Sequence, residues 1–189
     1  VHTLTTNSKL LNIQTIKTNS SGSQLDLTNQ SEDFTIEVGA GTDNIKGGSG
    51  ADTIKVNSAG QGDADTLEGG AGTSDILQLS AGSHSFTDNS KLANVETIKG
   101  HASSATTVVL TGQLETLKVD GGSAGDTITG GNGDDIITGG GGDDIIAGGA
   151  GDDSLTGNAN DDTFKVDGGT DTITDLATGD IVIVSNSAK

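Results

Sequence analysis

The chain has 189 residues, of which 30% are hydrophobic and 2% aromatic, and it carries a formal net charge of -18. So little apolar material beside so much like charge leaves two readings: the chain is unstructured, or a component outside the sequence neutralises the carboxylates and lets it fold. Nine lysines without arginine exclude nucleic acid as a partner, no apolar run is long enough for membrane insertion, and the absence of cysteine excludes disulfides and thiolate metal sites.

The predicted elements begin with "NIQTIK" from Asn12, whose alternating apolar and polar positions read as a half-buried strand. Leu27 and Ile36 then fall eighteen and nine residues before Ile45, so the strand rhythm starts ahead of the first glycines. Asp43 and Asp52 are nine apart, each followed two residues on by an isoleucine, and "GGSGADTIK" around Gly48 and Gly50 completes a unit. An inserted "VNSA" breaks the count; the register returns with Asp65 in "GQGDADTLE" and slips by one in "GGAGTSDIL", which makes Asp75 an irregular member. Ser83 and His84 lie in a connecting segment and read as a loop. "NVETIK" from Asn94 and "QLETLK" from Gln113 are further plain strands, with Glu96 and Glu115 expected on outward faces near Lys99 and Lys118.

Downstream the pattern is strict. Asp126, Asp135, Asp144, Asp153, Asp162, Asp171 and Asp180 recur every nine residues, and an apolar residue follows two places after each: Ile128, Ile137, Ile146, Leu155, Phe164, Ile173 and Val182. Three complete units open with Gly130, Gly131, Asn132 and Gly133, with Gly139, Gly140, Gly141 and Gly142, and with Gly148, Gly149, Ala150 and Gly151. Glycine at positions one, two and four permits positive φ and crowded carbonyls. In the next unit Asn158 and Asn160 replace two of these glycines, and asparagine is the side chain that best tolerates the left-handed region. The position-five residues Asp134, Asp143, Asp152 and Asp161 are expected to face solvent.

The whole divides into two solenoid modules. The first spans 1–93, with plain rungs at 1–37, a glycine-aspartate block at 38–79 and a connecting segment at 80–93; the second spans 94–189, with plain rungs at 94–120, a block at 121–184 and a tail at 185–189. Frequent glycine and short threonine-rich runs argue against helix, and the absence of proline suits continuous strands, so the fold expected is an all-β parallel solenoid.

Stacked parallel rungs lie about 4.8 Å apart, so aspartates in one column would repel by roughly 3–4 kcal/mol per pair at an effective dielectric near 20. A cation resolves this. Calcium fits because it takes carboxylate and carbonyl oxygens in a flexible shell, whereas magnesium demands tighter geometry and zinc would need histidines nearer than His2, His84 and His101.

The unit G-G-x-G-x-D-x-U-x resembles the calcium-binding β-helix nonapeptide, and the chain is similar to the RTX family of type I-secreted bacterial proteins. That resemblance implies a right-handed β-roll in which two nonapeptides make one turn and several calcium ions lie between turns. Asp126 would share an ion with Asp144, Asp135 with Asp153, Asp144 with Asp162, and Asp153 with Asp171, leaving Asp162 and Asp180 as a weaker last pair. The plain rungs and the Thr, Ser, Gly and Asn richness look like RTX-type surface-layer proteins. This implies a secreted, non-enzymatic lattice component that folds on calcium outside the cell, with copies of itself and cell-surface polysaccharide as candidate partners. An adhesin segment, or the β-roll appendage of a secreted protease, lipase or epimerase, is the alternative, and the chain contains no HExxH or GxSxG motif.

Overall fold

The computed structural model describes residues 2–5, 10, 12–19, 21–59 and 64–185. Gln61, Gly62 and Asp63 of the third upstream unit, and the tail from 186, lie outside them. The described residues form strands and turns without helix, and every strand pairing is parallel.

One face of the solenoid is a nine-stranded sheet: Thr15–Lys17, Thr35–Val38, Thr53–Val56, Ile76–Leu79, Thr97–Lys99, Lys118–Gly122, Ile136–Gly141, Ser154–Ala159 and Thr172–Ile173. It runs unbroken past residue 94. The intervening strands make two further sheets, a five-stranded one ending at Leu92–Ala93 and a six-stranded one beginning at Gly82–Ser85. The exchange occurs within one long rung, between Ile76–Leu79 and Thr97–Lys99. From Leu117 onward the rung repeat is eighteen residues, two nonapeptides per turn, as the hydrogen bonds from Leu117 to Asp135 and from Asp135 to Asp153 record.

Because strand side chains alternate, the middle residue of each three-residue strand points inward. Ile36, Ile54, Leu77, Ile98, Val119, Ile137 and Leu155 stack in register and are fully or almost fully buried. Ile128, Ile146 and Phe164 do the same from the opposite sheet. The core is thus two facing ladders, widened upstream by Val38, Val56, Leu79, Phe86 and Leu110. At its C-terminal end Val182 and its neighbours in Ile181–Val184 are exposed.

Several expectations need correction. Leu25, not Leu27, is the register partner of Ile45, because the plain rungs there are twenty residues long; Leu27 is nevertheless buried. The strands in "NIQTIK" and "NVETIK" cover only their last three residues, and Asn12 and Asn94 take positive φ of 63° and 51° in the preceding turns. Gln113 begins no strand: it is buried in a turn, with Nε2 donating to the carbonyl of Phe86 at 2.9 Å. Ser83 and His84 belong to a strand rather than a loop, and His84 fills an inward slot opposite Val108, its Nε2 3.0 Å from the carbonyl of Ser80.

Candidate metal centre

Two columns of carboxylates line the turns. Before the nine-stranded face, Phe34, Asp52, Asp75, Glu96, Leu117, Asp135, Asp153 and Asp171 occupy successive rungs. Before the other face stand Ser23, Asp43 and Asp65 and, further along, Thr106, Asp126, Asp144, Asp162 and Asp180. Asp75 is therefore a full column member despite its slipped spacing, since Leu77 holds the inward slot two residues on.

Within each column one carboxylate oxygen is committed to the backbone. The N–H of Asp126 donates to Oδ1 of Asp144 at 2.6 Å, Asp135 to Asp153 at 2.8 Å, Asp144 to Asp162 at 2.9 Å, Asp153 to Asp171 at 3.1 Å, and Asp162 to Asp180 at 2.9 Å. Asp43 donates to Asp65 and Asp52 to Asp75 in the same way. Neutral residues start each run: Ser23 donates to Asp43, Phe34 to Asp52, Thr106 to Asp126 and Leu117 to Asp135.

In seven of these carboxylates the other oxygen has no protein partner. Oδ2 of Asp43, Asp65, Asp75, Asp126, Asp144, Asp153 and Asp171 is buried without a hydrogen bond. A buried carboxylate oxygen left unpaired is costly unless a cation satisfies it. Burial pushes Asp144 up to about 7 and Asp75 and Asp153 up to about 6, with repulsion from neighbouring column members adding to it. Asp43, Asp52, Asp65, Asp126, Asp135 and Asp162 are raised for the same principal reason.

The position-one glycine answers to this geometry. A side chain on Gly139, Gly148 or Gly157 would collide with Oδ2 of Asp144, Asp153 or Asp162, so the carboxylate occupies the space a Cβ would need. Gly140, Gly142, Gly149 and Gly151 take positive φ, as do Asn158 and Asn160 at 73° and 86°. The turns before Asp52 and Asp135 differ. Gly48, Gly50, Gly131 and Gly133 lie outside the left-handed region, stacked on the Gln30–Glu32 and Gln113–Glu115 turns. There the N–H of Gly48 donates to Oδ2 of Asp52 at 2.8 Å, and that of Gly131 to Oδ2 of Asp135 at 2.9 Å. These two carboxylates have both oxygens engaged by the backbone.

The remaining predicted residues fall as follows. A Cβ on Gly130 would collide with Oδ2 of Asp135 and the carbonyl of Gly148. Asn132 and Ala150 donate their N–H to the carbonyls of Gln113 and Gly131, and Gly141 sits in ordinary contact with Ser123. Oδ2 of Asp180 accepts the N–H of Ala177 at 2.7 Å, and the hydrogen bonds from Asp162 and Ala177 hold this carboxyl below the usual carboxylate range. The position-five aspartates are exposed, and they form a second, outer ladder of opposite sense: Asp152 donates its N–H to Asp134, Asp161 to Asp143, and Thr170 to Asp152. Glu115 is exposed; Glu96 is not the outward residue expected but accepts the N–H of Asp75 at 2.7 Å.

Among the described residues no three acidic side chains form a compact cage. Each site has column carboxylates and backbone carbonyls at the turns, an all-oxygen donor set suited to a hard cation. Fold and site together define a calcium-binding β-roll. The RTX calcium-binding nonapeptide repeat matches four times, at residues 35–58, 59–82, 120–155 and 141–173, more than half of the chain. The chain belongs to that family, and calcium is its ion. No curated protein and no solved structure matches it.

Proposed function

We propose that this chain is a non-catalytic, calcium-folded structural segment of a secreted surface protein, serving as a component of a surface-layer lattice. The observation that carries the reading is the set of buried, unpartnered Oδ2 atoms of Asp43, Asp65, Asp75, Asp126, Asp144, Asp153 and Asp171. They are the ligand carboxylates, paired along each column with the neighbouring turn's carbonyls. Asp52, Asp135 and Asp180, whose Oδ2 atoms accept backbone N–H groups, contribute less. Repeated identical carboxylates offer no pair of contrasting acid and base environments, which supports a structural role over catalysis. Ions that bind only the folded form would add about 2.7 kcal/mol each at a hundredfold excess over Kd, enough to offset the thin core.

Circular dichroism in chelator and after calcium addition tests the folding half of this reading, and an unchanged β spectrum overturns it. Electron microscopy of the calcium-loaded parent protein tests the lattice half. Ordered sheets are expected, and dispersed particles would move the segment to an adhesin or an enzyme appendage.

A further inference from the structure

We infer that the junction between the two glycine-aspartate blocks holds an additional calcium site, built by Asp75 of the last upstream unit together with the carbonyl of Asn94 and the carboxylate of Glu96, both of which lie outside any nonapeptide. It rests on the reading that the column aspartates bind calcium. In the regular repeats, the position-one glycine faces two oxygens: Oδ2 of its own aspartate and the carbonyl of the position-one residue one turn on. Gly47 faces Asp52 and Gly69, Gly121 faces Asp126 and Gly139, and Gly130 faces Asp135 and Gly148.

Gly69 faces the same pair, but with a substitute. Oδ2 of Asp75 lies 2.6 Å from where its Cβ would be, and the second oxygen is the carbonyl of Asn94. Asn94 follows the strand that pairs with Thr66–Glu68, so it stands one rung on from Gly69 in the position-one slot. The column is then continued by Glu96, whose Oε2 accepts the N–H of Asp75 at 2.7 Å, as Oδ1 of Asp75 accepts that of Asp52 at 2.7 Å. Asp75 itself is 1% exposed, and its Oδ2 has no protein partner. The family repeat ends at residue 82 and resumes at 120, so Glu96 falls in neither block. Leu117, the next residue in the column, ends the run.

The test uses the full chain, with ions counted by native mass spectrometry in calcium and the β signal followed by circular dichroism. E96K is expected to carry one ion fewer than the wild type, and E96Q to bind one ion about tenfold or more weakly, because ligand charge sets affinity. D144N, in the other column, should lose its ions independently. An E96K chain that keeps the β signal with the wild-type count overturns the inference. If E96K does not fold, E96Q decides, since its amide oxygen still accepts the Asp75 N–H, and an unchanged calcium affinity overturns the inference. A wild type that takes up no calcium overturns the underlying reading instead.

Discussion

Asp144 separates the two roles of a column carboxylate, and D144N is the substitution that does so with least disturbance. The amide retains an oxygen for the Asp126 N–H at 2.6 Å while removing the charge that faces Asp126 and Asp162. In chelator the charge is a liability. A carboxyl raised from 3.8 to about 7 corresponds to about 4 kcal/mol as a ceiling, and relaxation of the turn around an unpaired charge reduces the expected gain to about 1–3 kcal/mol at pH 8. In calcium the sign reverses. A site at a hundredfold excess over Kd adds about 2.7 kcal/mol, and a hundredfold weaker Kd leaves about 0.4, so D144N should cost about 2 kcal/mol for each ion Asp144 touches. Urea unfolding followed by circular dichroism reads both, in chelator and in calcium. If the chelated chain is already unfolded at pH 8, the gain appears as an upward shift in the pH at which its β signal is lost. Equal destabilisation in both buffers would falsify the assignment of Asp144 to the ion and leave it a hydrogen-bonding residue only.

The pH dependence follows from the raised carboxyls. Their stabilising contribution to the chelated fold is complete below about pH 4 and is lost as pH rises through about 6 to 7, so the chelated chain should hold its β signal better in mild acid than at pH 8. Protons and calcium compete, so a calcium titration at pH 5.5 should show a higher midpoint than one at pH 7.5. G148A places a Cβ on Oδ2 of Asp153 and should cost about 2 kcal/mol or more, whereas G141A, whose nearest neighbour would be the Ser123 carbonyl oxygen at 3.4 Å, should stay within about 0.5 kcal/mol in urea melts. F164A empties one slot of a core ladder and should cost about 3–5 kcal/mol in the same assay with calcium present.

The inward residues were legible because two nine-residue units close one turn, so the sequence period and the rung period coincide from Leu117 onward. Asn158 and Asn160 were legible for a backbone reason, and both hold positive φ. Where rungs lengthen, the arithmetic misleads: counting by nine selects Leu27, but the register selects Leu25. Which carboxylates keep a bare oxygen was not legible at all. Asp135 and Asp153 sit in near-identical repeats, yet Gly131 rests on the Gln113 turn and turns its N–H inward, while left-handed Gly149 turns its own toward Asp167. Glu96 was missed because its rung carries no glycine signature; its spacing of twenty-one residues from Asp75 emerges only in the register.

The inner hydrogen bonds all run one way along the chain: an amide in each turn reaches forward to a carboxylate in the turn that follows. The stack is therefore a one-way zip. Trimming back from its far end, through Asp180 and then Asp171, would strip away acceptors and charge and strand the amides of Asp162 and Asp153. Removing the plain rungs ahead of the second block, with Thr106 and Leu117, would only release a carboxylate oxygen of Asp126 and Asp135 to water.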